Sequence, residues 1–275
     1  MNAAASGPLD LEAYLARIGY RGALKPSLET LAALHEAHAV SIPFENLDVL
    51  LKRPIALDLE SVQRKLVRSR RGGYCFEQNA LFAAVLERLG FCVAPLAARV
   101  RLGAEPGAPR PRSHMLLKVD LDGAAWLADV GFGSPGLLAP VRMSPDEPSE
   151  QFGCTYRVAR DGEFWVVQLI IDAVWTDLYA FTLEPQYPID FEVANYFIST
   201  HPRSIFVQAP FVARRTPEVR CTLRGRELTI SRGEQTSAET IAGNEQLLAA
   251  LAEHFGLHFP AETRFLADPD VRPPG

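Results

Sequence analysis

The chain has 275 residues, of which 48% are hydrophobic and 22% are charged, as in an ordinary globular protein. The formal net charge of −5 lacks the basic surplus that nucleic-acid-binding proteins carry, so we expect no nucleic-acid partner. The apolar runs are too short to span a membrane, and the first residues lack the basic and apolar regions of a signal peptide. We therefore expect a cytoplasmic protein without membrane contact.

The first third of the chain, residues 1–90, predicts helices. Apolar residues recur at helical spacing from Leu9 to Ile18, and again after Ser27, which has the position of an N-cap. Pro43 predicts an extended turn, and Asp58 is placed to cap a further helix. A Gly-Gly turn then leads into a helix that begins at Cys75 and ends before Gly90.

Residues 91–190 change to a strand-like pattern. The dipeptides Asp122-Gly123 and Asp161-Gly162 each separate two strand-like runs, which predicts two hairpins with type I′ turns. In residues 191–275 the pattern mixes again, with a helix capped by Asp190, a strand over 204–212 and a last helix that Gly256 ends. The sequence thus predicts a helical unit (1–90), a β-rich unit (91–190) and a smaller α/β unit (191–275).

The stretch Arg71–Asn79 (RGGYCFEQN) places a cysteine at the start of a helix. The free N–H groups of a first helical turn carry positive potential, which favours a thiolate over a thiol. Cys75 is therefore a candidate nucleophile. The spacing of the cysteines fits neither a disulfide scaffold nor a zinc site, so we expect reduced thiols and no metal. The other three stand in strand-like runs and are expected to be buried apolar residues: Cys92, Cys154 and Cys221.

A cysteine nucleophile requires a base and a group that orients the base. If Asp122-Gly123 forms the hairpin loop, His114 lies opposite Gly131, and Asp129 is a diagonal neighbour on the same face, with Cβ atoms about 7 Å apart. This spacing suits a hydrogen bond from imidazole Nδ1–H to the carboxylate, and the glycine leaves room for a ligand. From the hairpin alone, His114 could equally be an ordinary strand-end histidine. Asp129 needs a partner because it stands within an apolar run.

Several of these motifs together resemble the arylamine N-acetyltransferases. The resemblance lies in Arg71–Asn79, in Ile42–Leu47 (IPFENL) and in Ser113-His114 followed by Asp129–Gly133 (DVGFG). Two further segments look like that family: Tyr14–Tyr20 and Asn195–Phe206. The motifs stand in the family's order over nearly the whole chain, and the length is similar to that of the bacterial members.

The resemblance implies an α+β fold with a cysteine-protease-like core of the papain and transglutaminase type. Residues 1–90 would form an N-terminal helical bundle, 91–190 an antiparallel β-barrel and 191–275 an α/β lid. It implies a Cys75–His114–Asp129 catalytic triad. It also implies ping-pong transfer of an acetyl group from acetyl-CoA to an arylamine, arylhydrazine or N-hydroxyarylamine.

The resemblance also implies binding residues for both substrates. Phe44, Phe132 and Phe206 would line the acceptor pocket, where flat rings favour an aromatic amine. Arginine suits phosphate recognition, and this chain has 24 Arg against four Lys. The loop 101–112 is a candidate for coenzyme A, whereas the cations of 64–71 are expected on a solvated helix face, or at Arg71 to support the turn. The coenzyme A contacts that the resemblance implies are Gly131, Gly133, Arg203 and Ser204.

Other functions fit the same residues. A Cys-His-Asp triad after a glycine turn also resembles thiol-dependent hydrolases, which cleave amides or thioesters. Related enzymes act as amide synthases or use bulkier acyl donors. A protein that binds an acyl-CoA or an aromatic ligand without catalysis is a third interpretation. For the assembly we expect a monomer or a weak homo-oligomer.

Overall fold

The computed structural model describes residues 8–105, 107–233 and 235–265, so the ends of the first and third predicted units lie outside it. The helices are α1 (Leu11–Ile18), α2 (Leu28–Ser41), α3 (Leu47–Leu50), α4 (Leu59–Val62, continued by a π-helical turn at Gln63–Arg68), α5 (Cys75–Arg88), α6 (Pro188–Thr200), α7 (Ile205–Gln208) and α8 (Asn244–Phe255). The strands are β1 (Phe44–Glu45), β2 (Cys92–Val100), β3 (Arg112–Leu121), β4 (Ala124–Ala128), β5 (Val141–Arg142), β6 (Ser149–Gln151), β7 (Cys154–Asp161), β8 (Phe164–Ile171), β9 (Val174–Phe181), β10 (Phe211–Arg215), β11 (Val219–Arg224), β12 (Glu227–Arg232) and β13 (Gln235–Thr240).

Local capping sets the ends of several helices. The side chain of Ser27 accepts a hydrogen bond from Thr30 N–H at the start of α2, as predicted. Asp58 accepts one from Ser61 N–H at the start of α4. Gly256 ends α8 in the left-handed conformation with φ 67°, which a residue without Cβ adopts at little cost.

Eight antiparallel strands form the middle of the molecule, in the order β5-β4-β3-β2-β9-β8-β7-β6. They curl into a nearly closed barrel, and the helices at both ends of the chain complete the α+β fold that the sequence predicts. Leu116 and Leu127 point into the barrel core, whereas Met115 and Leu117 pack into the core that α5 shares. This alternation makes β3 the boundary between helices and barrel.

The hairpin of β3 and β4 has the predicted register. Leu121 pairs with Ala124, and the two loop residues Asp122 and Gly123 have φ values of 50° and 75°. Positive φ at both positions is the mark of a type I′ turn. The ladder ends at the pair Leu117–Ala128, so the residues that follow β4 do not continue the strand.

Other predicted turns and strands differ in position. Asp161 pairs with Phe164, so the second hairpin loop is Gly162-Glu163, one residue later than predicted. A third hairpin, with Asp172-Ala173 at φ 49° and 62°, was not predicted because this dipeptide lacks glycine. Part of the predicted strand 204–212 is the helix α7, because the Ser204 side chain accepts a hydrogen bond from Phe206 N–H at its start.

Two further predictions hold in part. Asp190 caps α6, but from the third helical position: its side chain accepts from Tyr187 N–H at 2.8 Å, and the helix begins at Pro188, because the proline suits a first helical position. Of the three cysteines expected to be buried, Cys221 is buried, Cys154 is half-buried and Cys92 is exposed at the start of its strand.

A second sheet connects the N-terminal helical part with the C-terminal strands. Its strand order is β1-β10-β11-β12-β13, and Phe44 and Glu45 of β1 pair with Ala213 and Val212 of β10. The division into units at residues 90 and 190 stays a prediction. Within the described residues no helix is long and apolar enough to cross a membrane.

Replacing Gly72 by alanine should destabilise the fold, because the new Cβ would stand 2.1 Å from the backbone oxygen of Pro43. We expect a loss of about 3 kcal/mol in the free energy of unfolding, measured by urea denaturation. Gly243→Ala is the matched control, since a Cβ there meets nothing within 4 Å. Equal stability of the two variants would contradict the close packing at Gly72.

Candidate active site

Cys75 is the first residue of α5, and it is 3% exposed. The turn before it pairs with β1 and the residue before that strand: Gly73 N–H donates to Pro43 O at 3.3 Å, and Gly73 O accepts from Glu45 N–H at 3.1 Å. Tyr74 N–H donates to Oε2 of Glu77 at 3.1 Å, which caps the helix. The thiol thus stands at a helix N-terminus, and backbone hydrogen bonds fix the turn that leads into this helix.

A network of charged side chains supports this turn. Arg71 is 2.6 Å from Glu45 and 3.3 Å from Asp48, and Lys65 is 2.7 Å from Glu77 and 3.2 Å from Asp48. Contrary to the prediction of a solvated face, only 16% of the Lys65 side chain is exposed. Burial lowers the pKa of Lys65, but the neighbouring carboxylates outweigh it and raise the pKa overall, so the amine stays charged.

His114 lies on β3 and contacts Asp129 within the protein interior. Its Nε2 is 2.7 Å from Oδ2 of Asp129, with 3% and 0% of the two side chains exposed. The nitrogen is Nε2 and not the expected Nδ1. Asp129 follows the last ladder pair of the hairpin, so its side chain approaches from an irregular segment and not as a diagonal strand neighbour.

The second carboxylate oxygen of Asp129 is also satisfied. Its Oδ1 accepts from Asn79 Nδ2 at 3.0 Å and from Gly131 N–H at 2.9 Å. The backbone N–H of Asp129 donates to His35 Nε2 at 3.0 Å. Asp129 is therefore held by α2, α5 and β3 together, which fixes its position relative to the helix that begins with Cys75.

The two histidines around Asp129 have opposite charge states. Burial opposes the charge of His114, but the charge and hydrogen bond of Asp129, together with Cys75, raise the pKa of His114 to about 10. Burial lowers the pKa of His35 to about 4, because the charge of Asp129 and the backbone hydrogen bonds at Leu138 and Asp129 do not offset it. The pKa of Asp129 is lowered: burial opposes ionisation, but the charge and hydrogen bond of His114 outweigh it. Near pH 7 the pair is an imidazolium and a carboxylate.

Cys75 is close to this pair. Its Sγ is 3.8 Å from the backbone oxygen of Ser113, the residue before His114. The proximity of Cys75 also helps to raise the pKa of His114. The structure therefore brings Cys75, His114 and Asp129 together at the junction of α5 and β3. No three His, Cys, Asp or Glu side chains in the described part of the chain could hold a metal ion.

Aromatic rings surround the group. The Phe132 ring is 5.1 Å from the His114 ring, and the Tyr179 ring is 4.8 Å from it on β9. Phe44 and Phe206 lie 5.9 Å apart between ring centroids. Phe44 and Phe132 also line one small interior cavity together with Asp129.

The two glycines near Cys75 and His114 allow close packing. A Cβ on Gly131 would be 2.7 Å from the Cα of Cys75, so the space that was expected for a ligand opposite His114 is filled by α5. Gly133 has φ 78°, and a Cβ there would be 3.2 Å from the Phe44 ring. Their contact with coenzyme A stays a prediction.

The residues predicted to contact coenzyme A differ in the partners that they already have within the protein. Arg203 stands on the exposed turn between α6 and α7, where its backbone N–H donates to His201 Nδ1. The next residue, Ser204, caps α7. In the loop 101–112, Arg101 is paired with two carboxylates, and Arg112 is 2.6 Å from one. These loop arginines already have anionic partners in the protein.

Comparison with known proteins identifies the family. A family model described as N-acetyltransferase matches residues 27–264. An arylamine N-acetyltransferase of Mycolicibacterium smegmatis is 42% identical over 253 residues, covering 90% of this chain and 92% of the relative. The solved arylamine N-acetyltransferase structure from M. tuberculosis has a TM-score of 0.87 and 39% identity, over 90% of this chain and 93% of that chain. This chain belongs to the arylamine N-acetyltransferase family.

A further similar structure is that of the Mycobacterium marinum arylamine N-acetyltransferase in complex with CoA, with a TM-score of 0.86 and 37% identity over 90% of this chain and 92% of that chain. Membership in the arylamine N-acetyltransferase family makes the protein an acyltransferase enzyme. The resemblance found in the sequence motifs is therefore confirmed, together with the fold that it implies.

The sequence reasoning missed four residues that hold this family member's site. Asn79 stands one helical turn after Cys75, a spacing that places both on one helix face and could have been noticed. The Asn46 amide donates to the backbone oxygens of Phe206 (2.7 Å) and Ala209 (2.8 Å) and accepts from a third residue of the same segment. Local sequence gave no signal for the others: His35 and Tyr179.

Replacing Asp129 by asparagine should lower the pKa of His114 from about 10 to below 6.5, because burial then acts without an opposing carboxylate. Histidine-selective NMR titration measures this. Asp120→Asn is the control. Asp120 is an exposed residue on β3, the strand that carries His114, and its replacement should leave the pKa of His114 unchanged.

The same proton contributes to stability. The pKa of folded His114 is raised, so its stabilisation is complete below about pH 6.5 and is lost as pH rises towards about 10. Urea midpoints of wild-type protein should fall over this range more steeply than those of Asp129→Asn. Identical pH slopes would contradict a charged His114–Asp129 pair.

Replacing Asn46 by aspartate should release the segment that carries Phe206, because a carboxylate cannot donate to the oxygens of Phe206 and Ala209. We expect a loss of about 2–4 kcal/mol in the free energy of unfolding, measured with urea. Asn244→Asp is the comparison, since that amide donates to a single backbone oxygen, of Thr263, and should cost less. A larger loss at position 244 would contradict the role given to Asn46.

Proposed function

We propose that the protein transfers an acetyl group from acetyl-CoA to an arylamine, arylhydrazine or N-hydroxyarylamine through an acetyl-Cys75 intermediate. The observation that carries the proposal is the buried convergence of Cys75, His114 and Asp129 beside aromatic rings. The names of the relatives support the acceptor class. The CoA complex of the Mycobacterium marinum relative supports coenzyme A as the carrier of the acyl group.

The first half-reaction uses the charge state of the site. An imidazolium beside Cys75 and the helix N-terminus both favour the thiolate. The thiolate attacks the thioester carbon of acetyl-CoA, and the backbone N–H of Cys75 is one donor for the oxyanion. As the C–S bond to coenzyme A breaks, His114 gives its proton to the leaving thiolate. The products are acetyl-Cys75, free coenzyme A and a neutral His114.

The second half-reaction restores the starting state. The amine nitrogen of the acceptor attacks the acetyl carbon, and neutral His114 takes the proton that the nitrogen loses. The bond to Cys75 then breaks, and the sulfur leaves as a thiolate beside the imidazolium that has just formed. Asp129 stabilises that imidazolium and holds the ring through Nε2, so the other ring nitrogen carries the proton transfer.

The rings around the site support an aromatic acceptor. Phe132 lies against His114, and Phe44 against Phe206, so a flat ring that enters here replaces water with aromatic contacts. We propose these three as acceptor-binding residues. Gly131, Gly133, Arg203 and Ser204 stay proposed contacts of coenzyme A, Arg203 because it is an exposed cation without a carboxylate within 4 Å among the described residues.

A thiol hydrolase is the second candidate, since the same triad serves amide and thioester hydrolysis. The burial of Cys75 and His114, each 3% exposed, favours transfer because it restricts water at the acyl-enzyme. An amide synthase of the same architecture would use the same steps with another acyl donor.

Mixing the protein with acetyl-CoA alone should release a burst of about one equivalent of coenzyme A, because the acetyl-enzyme waits for an amine. Intact-mass spectrometry should show one added acetyl group, lost when an arylamine is supplied. Cys75→Ala should show neither event, whereas Cys92→Ala, an exposed cysteine, should behave as wild-type.

Three other results of this experiment would contradict the proposal. Continuous release of coenzyme A without an amine would indicate a hydrolase. A burst with bulkier acyl-CoA thioesters but none with acetyl-CoA would indicate another acyl donor. Acetyl transfer that survives in Cys75→Ala would contradict the assignment of the nucleophile.

A further inference from the structure

Helix α6 carries apolar side chains on two opposite faces. Its inner face packs on the protein through Phe191, Asn195 and Ile198, which are 4–7% exposed. A helix that is apolar all round is normally buried all round. The outer stripe at i, i+4, i+7 and i+8, here named the α6 patch, is open: Ile189 (59% exposed), Val193 (66%), Tyr196 (72%) and Phe197 (37%).

The α6 patch differs from the other exposed apolar residues by its continuity. Val174, 63% exposed, stands at a hairpin turn outside the helix. The four side chains of the patch leave on the order of 400 Å² of surface open, since a full aromatic side chain carries about 150–250 Å². The largest apolar patch that a typical monomer exposes covers about 300–600 Å² and is often functional, so the α6 patch has the size of such a patch.

We propose that the α6 patch is the contact of a two-fold homodimer, in which α6 of one protomer packs antiparallel on α6 of its partner. A two-fold axis between Val193 and Tyr196 brings each stripe onto its own copy, as an isologous interface requires. The antiparallel arrangement also places the positive end of each helix dipole beside the negative end of the other.

Charge at the two ends of the stripe fits this arrangement. Asp190 lies at one edge near the start of α6, and His201 and Arg203 follow its end. The two-fold operation keeps each edge on the same side, so Asp190 of one protomer faces the His201 and Arg203 end of the other. The Phe197 ring stacks on the His201 ring at 4.4 Å, which holds His201 at the edge of the patch.

The same charges disfavour a membrane as the occupant. Helices that lie on anionic lipid carry lysine and arginine beside the apolar face. Here α6 itself carries Asp190 and Glu192 beside the stripe and no lysine or arginine, and Arg203 follows only after its end.

The area predicts a weak dimer. With its polar rim the contact would bury on the order of 1,000 Å² in total, at the low end of specific interfaces. Sedimentation velocity from about 1 to about 200 µM should therefore show the mass rise from 30.3 kDa towards twice that value. A mass that stays at one chain over the whole range would overturn the proposal.

Val193→Glu and Tyr196→Glu should weaken the dimer at least tenfold, because each buries a carboxylate in the contact while glutamate keeps the helix. Val174→Glu introduces the same charge at a similarly exposed residue and should dimerise as wild-type. A dimer that survives both α6 variants would place the contact elsewhere and overturn the proposal.

A charge cycle tests the antiparallel direction. Asp190→Asn keeps an acceptor for Tyr187 N–H but removes the charge, and Arg203→Gln removes the opposite one. Each should weaken association about two- to fivefold, and the double variant no more than either single one. Fully additive losses would contradict the pairing of these ends.

The patch could instead belong to a substrate site, and the same variants distinguish this. In that case Val193→Glu would raise KM for acetyl-CoA or for the amine at concentrations where the wild-type protein is a monomer. That result would overturn the dimer if Val193→Glu also sedimented with the same mass as the wild-type protein at every concentration. The inference does not rest on the proposed chemistry, since failure of acetyl transfer leaves the sedimentation result unaffected.

Discussion

The buried carboxylate of Asp129 is the interaction on which the arrangement of the site depends. A carboxylate with no exposed surface is costly unless it is paired and hydrogen-bonded. Its partners come from separate elements: His114 from β3 and Asn79 from α5, while His35 from α2 accepts a hydrogen bond from the backbone N–H of the same residue. Satisfying this one group therefore requires the helices and the barrel to meet in a single geometry, and Cys75 stands at that meeting point.

The segment from Pro43 to Asn46 makes a second junction, between the turn before Cys75 and the C-terminal part of the chain. Pro43 and Glu45 pair with the glycine turn before Cys75, whereas β1 forms the edge of the C-terminal sheet. Asn46 then holds the segment that carries Phe206. One short stretch thus contacts both the turn before α5 and the segment that carries Phe206.

Features set by neighbouring residues could be predicted from the sequence. The Asp122-Gly123 register, the Ser27 cap and the end of α8 at Gly256 each depend on a few adjacent residues, and the structure has them as predicted. The contact of His114 with Asp129 followed from that register, although the ladder stops earlier and another ring nitrogen is used.

What the sequence could not predict depends on distant partners. Lys65 reads as one more cation of a solvated helix until the buried carboxylates of Asp48 and Glu77 are known. The helix around Phe206 reads as a strand because its apolar run has no period long enough to decide. His35 gives no signal, since the backbone N–H that its side chain accepts, that of Asp129, is 94 residues away.

The site shows how one type of side chain can take two charge states within the same dry interior. Burial disfavours the imidazolium of both His35 and His114. His114 faces a carboxylate and keeps its proton, whereas His35 faces a backbone N–H, which can donate only to a neutral nitrogen. The charge of the candidate base is therefore a property of Asp129, and the neutral His35 in turn fixes the backbone from which Asp129 extends. The charge of His114 and the position of its partner carboxylate therefore depend on different contacts of the same residue, Asp129.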